Sequence, residues 1–466
     1  MYYGTRFRGE HGRRRYAGRR EIELLEHDDD ARRLMPLGLS LSGDGVYRWM
    51  EGRALPTNRR YARELCDQLG VALNDTEALY RASLGLSLND SYWVVPEGFD
   101  GSFDEMNLYE NGFSEVLAAV AYCGIGDADA RGRRAGLTPE LTTSGNLPKA
   151  WRIVDGQRRL YKSSTKGFYP GEPLSEALVS DLAASMGLNS AEYWLDNWEG
   201  VRCSVCDNFA TKDVSYVPFV VASGYDTFVG AAAFFASLGS ESFETFADMA
   251  VLDALVCNTD RHYSNFGVLR DNETGGVLSI APIFDNGRAL FPNAAEASLQ
   301  DFLREAELSS PVLGGTAGFI ELAGRLMGDG QKEKLSRMQP LEVEKYPHEF
   351  ASRIAAINKF VAQRRDALLE LPCVDRGMLL EGLRNAKPTR VDYLPGTLRA
   401  QDLANLPLGK ACSKGTPSAT PLPACEAVRK ASRRVDAKNH ASIERQSVSS
   451  NDRGFLRSEG AIGDET

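Results

Sequence analysis

Asn258-Thr-Asp-Arg-His-Tyr-Ser-Asn-Phe266, followed by Ile280-Ala-Pro-Ile-Phe-Asp-Asn-Gly287, is the stretch on which the fold turns. Upstream, Phe246, Met249, Ala250, Asp253, Val256 and Cys257 recur at helical spacing, so Asp260 and Asn265 fall on a tight loop after a helix. Phe266 to Leu269 reads as a strand, Asp271 to Gly276 as a hairpin turn and Val277 to Ile280 as the returning strand. Such a hairpin returns the chain to the loop and brings Asp285 beside Asn265. A polar loop capping a helix before an ordinary hairpin would account for any one of these residues, but not readily for the set.

The set has a chemistry. Phosphoryl transfer needs a carboxylate to orient or deprotonate the attacking hydroxyl, and hard oxygen ligands to hold magnesium against a triphosphate. Asp260 suits the first task, Asn265 and Asp285 the second. The order Asp-x-His-x-x-Asn, then Asp-x-Gly after a hairpin, is that of kinase-like catalytic and metal loops, though the residues depart from the common His-Arg-Asp and Asp-Phe-Gly forms. Together the two segments closely resemble the HipA-like serine/threonine kinases, including the shorter CtkA-like branch. Leu84 to Trp93 and Asn107 to Phe113 resemble the N-terminal portion of such chains. The resemblance covers about residues 34–371. It implies a two-lobed α+β kinase-like fold, with a mainly β smaller lobe and a helical larger lobe. It also implies ATP and Mg2+ as cofactors, a protein substrate with a serine or threonine acceptor, and an antitoxin-like DNA-binding partner. His262 is expected to brace the loop rather than move a proton.

The phosphate end of the site is read from Thr142-Thr-Ser-Gly-Asn-Leu-Pro-Lys149, a turn at Asp155-Gly156 and a strand ending at Lys162. A small loop between strands can set backbone N–H groups against phosphate oxygens, and a lysine on the next strand can reach the α- and β-phosphates. Ser144, Gly145 and Lys162 are therefore the candidate nucleotide contacts. By itself this pattern also fits an exposed hairpin with a surface lysine. The resemblance adds that some HipA-like kinases autophosphorylate a serine in this loop; Ser144 is the nearest match, with Thr142 and Thr143 as rivals. Leu174, Leu178, Leu182 and Met186 form a helical stripe stopped by Gly187. Glu176 on that helix is expected to pair with Lys162, with Glu172 as the competing residue and simple complementation of the helix N-terminus as the plainer alternative. Val214 to Val221 reads as a strand running into a hinge, where Pro218, Phe219 or Val220 would meet adenine; Val220 is taken as the contact.

The totals bound the rest. The chain has 466 residues, 43% hydrophobic and 25% charged, enough for two or three domains. Acidic residues outnumber basic ones, 64 to 54, which argues against a general nucleic-acid coat. No apolar run reaches the ~18 to 20 residues of a membrane span, and a cytoplasmic protein is expected. Eight scattered cysteines suggest no disulfide framework, and Cys203-Ser-Val-Cys206 reads as two half-buried thiols in a turn rather than half of a zinc site. The expected organisation is a flexible arm over 1–33, a helical and connector region over 34–135, and a kinase-like N-lobe over 136–225. A C-lobe over 226–371, a short helical or connecting segment over 372–399 and a disordered tail over 400–466 complete it. A phosphoinositide-type lipid kinase shares the Asp-Arg-His-x-x-Asn order, and a catalytically silent nucleotide-binding module or a toxin component of a toxin–antitoxin pair are further alternatives.

Overall fold

The computed structural model describes residues 6–9, 22–26, 33–39, 43–96, 98–126, 136–164, 171–294, 298–315 and 317–385. The tail expected over 400–466 lies outside the described residues, as does most of the arm over 1–33. Within that arm, β1 (Arg6–Gly9) and β2 (Ile22–Glu26) pair antiparallel.

Three helices follow, α1 (Gly43–Arg53), α2 (Ala62–Leu69) and α3 (Thr76–Ser83). Gly70 ends α2 in the left-handed conformation, φ 69°, as a C-terminal glycine should. The N-terminal side is irregular although Pro56-Thr57-Asn58 has the composition of a helix start. Turns carry Pro56 to Ala62, and Tyr61 itself is left-handed at φ 64°, so helix begins only at Ala62. This puts Arg59 on a turn facing inward. After α4 (Phe103–Met106), helix α5 (Glu115–Cys123) starts on the Ser114 side chain, which accepts the Leu117 N–H at 3.3 Å. Leu65, Cys66, Leu79, Leu117 and Leu141 close one small core.

Antiparallel strands β3 (Lys149–Val154) and β4 (Gln157–Lys162) meet across the Asp155-Gly156 turn, where both residues have positive φ, 52° and 77°. Helix α6 (Gly171–Ser185) then leads to β5 (Tyr193–Trp198) and β6 (Val201–Asp207), giving a four-stranded sheet in the order β3-β4-β6-β5. Cys203 and Cys206 lie buried within β6, not in a turn. Period-two alternation puts 203 and 206 on opposite faces, so Cys203 packs with Tyr122 and Tyr161 while Cys206 lies close to Lys162 and Glu176.

Next comes β7 (Val214–Pro218), whose end passes directly into the short α7 (Phe219–Ser223). Helices α8 (Phe228–Leu238) and α9 (Ser240–Val256) bring Phe235 and Phe246 into stacking at 5.2 Å, beside Phe219 stacked on Phe266 at 5.0 Å. The expected hairpin is β8 (Gly267–Asp271) and β9 (Val277–Ile280), which joins β7 in a three-stranded antiparallel sheet. Helices α10 (Leu299–Leu308), α11 (Phe319–Gly324), α12 (Asp329–Arg337), α13 (Ala351–Leu369) and α14 (Arg376–Asn385) complete the fold. Ile354, Ile357, Phe360 and Val361 of α13 are all buried, as their spacing requires. The result is a two-lobed α+β fold, a mainly β smaller lobe against a helical larger one. The stripe on α6, Leu174, Leu178, Leu182 and Met186, packs into the core of the larger lobe. Among the described residues, no helix is long and apolar enough to cross a membrane.

Candidate active site

The loop after α9 is built by polar side chains bonding to their own backbone. Cys257 turns the chain at φ 51°, and buried Asn258 accepts the Asp260 N–H on its side-chain oxygen at 3.0 Å. The Asp260 carbonyl accepts two donors, the His262 N–H and the Asn265 side-chain amide, each at 2.8 Å. His262 Nδ1 accepts the Ser264 N–H at 3.2 Å, so this histidine braces the loop as expected. With its amide fixed on Asp260, Asn265 keeps its side-chain oxygen as a donor for a cation.

Arg261, which the sequence reading left without a role, ties this loop to the segment carrying Asp285. Its side chain is 1% exposed. Nε donates to Asp253 of α9 at 3.0 Å; Nη1 donates to the carbonyls of Asn265 at 2.9 Å and Phe284 at 2.5 Å; Nη2 donates to Asp253 at 3.1 Å and to Asn286 Oδ1 at 2.5 Å. A guanidinium has five N–H donors in a rigid fork, and each has an acceptor. The motif therefore places Asn265 and Asp285 in one neighbourhood through a single buried cation.

Across from it, Lys162 at the end of β4 donates to Glu176 Oε1 at 2.5 Å and to Asp285 Oδ1 at 2.7 Å. The second Glu176 oxygen accepts the Asn286 N–H at 2.8 Å, so one carboxylate holds both the lysine and the metal-loop backbone. The rival Glu172 instead accepts from Ser164 Oγ at 2.5 Å and faces Arg288 at 3.7 Å. Burial alone would raise the Asp285 carboxyl, but Lys162, Lys149 and Arg261 hold it well below the usual range. Burial opposes charge on Lys162, yet Asp285 and Glu176 raise its pKa above the ordinary lysine value. Asp285 adopts φ 58°, an uncommon conformation for a non-glycine residue, held by these contacts.

Lys149 is a second residue missed. It stands directly opposite Lys162 in the β3–β4 pair, so both ammonium groups share one buried face. Like charges opposite each other destabilise a sheet, and here an anion between them would offset the cost. Lys149 Nζ donates to the Ser144 carbonyl at 2.8 Å and is drawn over Gly145, where an added Cβ would lie 2.5 Å from it. Gly145 itself has φ 88°, a conformation that favours glycine. Burial first, then Lys162, pushes Lys149 down to about 7. Ser144 and Gly145 are exposed on the loop, whereas Thr142 and Thr143 donate their hydroxyls to Leu86 at 2.5 Å and Pro139 at 2.7 Å.

Val220, expected to meet adenine, has its backbone engaged within the hinge. Its N–H donates to the Tyr263 carbonyl at 3.0 Å, and the Phe219 N–H to Phe266 at 2.8 Å, because the hinge folds at once into α7. A cavity of about 270 Å³ opens beside the loop that follows α9, lined by Thr259, Arg288, Phe291 and Glu305 among others. No group of three His, Cys, Asp or Glu side chains capable of holding a metal occurs among the described residues. The Asn265 and Asp285 oxygens suit magnesium, which keeps several waters and takes the rest of its shell from phosphates.

No protein-family model matches the chain. Its sequence is 29% identical over 151 residues to the serine/threonine-protein kinase CtkA of Helicobacter pylori, a match covering 29% of this chain and 46% of the relative. The chain thus spans about half the length of the curated relative it matches. Among solved structures, the H. pylori proinflammatory kinase CtkA aligns with TM-score 0.40 at 19% identity, over 49% of this chain and 91% of that one. A chain of the Shewanella oneidensis toxin–antitoxin complex of HipA, HipB and operator DNA aligns with TM-score 0.46 at 16% identity, over 82% of this chain and 97% of that one. By sequence, then, part of the chain is similar to the serine/threonine-protein kinase CtkA.

Proposed function

We propose that the chain is an ATP- and Mg2+-dependent protein kinase that moves the γ-phosphoryl group of ATP to a serine or threonine hydroxyl, its own loop included. The observation that carries the reading is the buried Lys162–Glu176 pair, which also reaches Asp285 and the Asn286 N–H. Lys162 neutralises the α- and β-phosphates, while Lys149 and the backbone at Ser144 and Gly145 receive phosphate oxygens. Asp260 orients the acceptor hydroxyl and takes its proton as the new P–O bond forms and the bond to ADP breaks. Asn265 and Asp285 would hold magnesium, which supplies charge neutralisation on the phosphates. The lobes correspond in this reading to 136–225 and 226–371.

The full Lys-Asp-Asn-Asp set favours an active enzyme over a silent module. A lipid kinase shares the loop pattern, but the excess of acidic over basic residues, 64 to 54, disfavours approach to an anionic lipid surface. The HipA-like resemblance extends the proposal to a cytoplasmic toxin-type kinase with a DNA-binding antitoxin partner, the chain itself touching no nucleic acid. Labelled ATP with Mg2+ should place phosphate on the purified protein or on a serine/threonine peptide library, and Asp260→Asn and Asp285→Asn should each abolish it. ATP binding without transfer to any hydroxyl would favour the silent module, and transfer to phosphoinositide alone the lipid kinase.

A further inference from the structure

Behind the phosphate loop lies a cation that neither lobe supplies. Arg59 sits on the turn between α1 and α2, and its side chain is 1% exposed. Nη1 donates to the carbonyls of Glu140 at 3.4 Å and Thr143 at 3.3 Å; Nη2 donates to Glu140 Oε2 at 3.2 Å and to the Lys149 carbonyl. The other Glu140 oxygen accepts the Trp151 N–H at 2.7 Å. One guanidinium therefore grips the backbone on both sides of residues 144–148, and its carboxylate partner holds the strand that follows. Buried carbonyls need donors, and only a planar fork can serve several that diverge. The turn is fixed in place by the core of Leu55, Leu65, Cys66, Leu117 and Leu141.

We propose that Arg59 is a positioning residue for the nucleotide phosphates: it sets the shape of the 142–149 loop from outside the two lobes and makes the N-terminal helical region part of the ATP site. The inference rests on the reading of that loop as the phosphate site. Arg59→Lys keeps the charge opposite Glu140 but loses the fork, so Kd and KM for Mg-ATP should rise by about tenfold while kcat at saturating ATP stays within about threefold. A merely structural role would lower the melting midpoint without this split. Because an unpaired buried carboxylate can block folding, the double variant Arg59→Met/Glu140→Gln is measured beside it, with the same weakening expected. In the native chain, amide hydrogen exchange over 140–149 and over 55–69 should slow together on adding Mg-ATP. Folded variants that bind Mg-ATP like the native chain, or slowing confined to 140–149, would overturn the role of Arg59 alone. A native chain that binds no Mg-ATP would overturn the nucleotide reading of the site and this inference with it.

Discussion

Removing Asp253 should unseat the catalytic loop. The Arg261 side chain is 1% exposed and that of Asp253 8%, and two of the five guanidinium donors end on this carboxylate. Asp253→Ala leaves a buried cation without its counter-charge, a change that costs about 3–5 kcal/mol because the desolvation of the survivor is no longer repaid. Against a total stability of roughly 5–15 kcal/mol for a folded domain, that is a large share. With a urea m-value of about 3 kcal/mol/M, the unfolding midpoint should fall by roughly 1 M or more. Asp253→Leu combined with Arg261→Met removes both charges and should recover part of the stability, though not phosphoryl transfer, since the carbonyls of Asn265 and Phe284 then lose their donor. Urea titration followed by tryptophan fluorescence reads the first effect and labelled-ATP transfer the second. A loss under about 1 kcal/mol in Asp253→Ala, with transfer intact, would refute the view that this ion pair holds the two loops together.

Two other outcomes follow from the geometry. Lys149 is pushed down to about 7 by burial and Lys162, below its ordinary ~10.4, so the free protein binds fewer protons there than the unfolded chain and gains stability as pH rises from about 7 to 10. Phosphate oxygens favour the charged form, so Mg-ATP binding at about pH 8 should take up close to one proton at this residue, read by calorimetry in two buffers. The uptake should vanish in Lys149→Met and at about pH 6, and uptake unchanged in Lys149→Met would exclude this lysine as its source. At Gly267, a Cβ would lie 2.1 Å from the Val217 carbonyl and 2.9 Å from Pro218 Cα. Gly267→Ala should therefore cost about 1–3 kcal/mol by parting β7 from β8, and an unchanged melting midpoint would show that the two strands tolerate the extra atom.

What could be read in advance followed periodicity and hairpin arithmetic. The α9 spacing and the β8–β9 turn foretold that Asp285 returns to the loop of Asp260 and Asn265; Glu176 pairs with Lys162, but helical phase could not separate it from its rival Glu172, four residues earlier on the same face. The opposition of Lys149 and Lys162 was legible too, since the two lie symmetrically about the Asp155-Gly156 turn. Arg261 was not, because an arginine in a polar loop gives no sign of being inside until the acceptors around it are assembled from three separate segments. Nor could the backbone partners of Val220 be read in advance: what a hinge N–H meets depends on what the chain does next, and here α7 begins at Phe219. The left-handed Tyr61 likewise sets the start of α2 at Ala62, a backbone choice that residue type does not announce.

Helix α6 presents Glu176 to the site while its other side is bolted down. Asp181 accepts from the Tyr346 hydroxyl at 2.6 Å and from Lys345 at 2.5 Å, and Tyr346 also donates to the Ala177 carbonyl at 3.3 Å. Its leucines belong to the larger lobe's interior. Swinging this helix outward would strip that interior of its cover, at about 1.5–3 kcal/mol for each large side chain exposed. A toggle that works by withdrawing the glutamate is therefore closed to this molecule. On the proposed reading, restraint of phosphoryl transfer would then fall to the 142–149 loop or to whatever blocks the way in, with the Lys162–Glu176 pair left assembled.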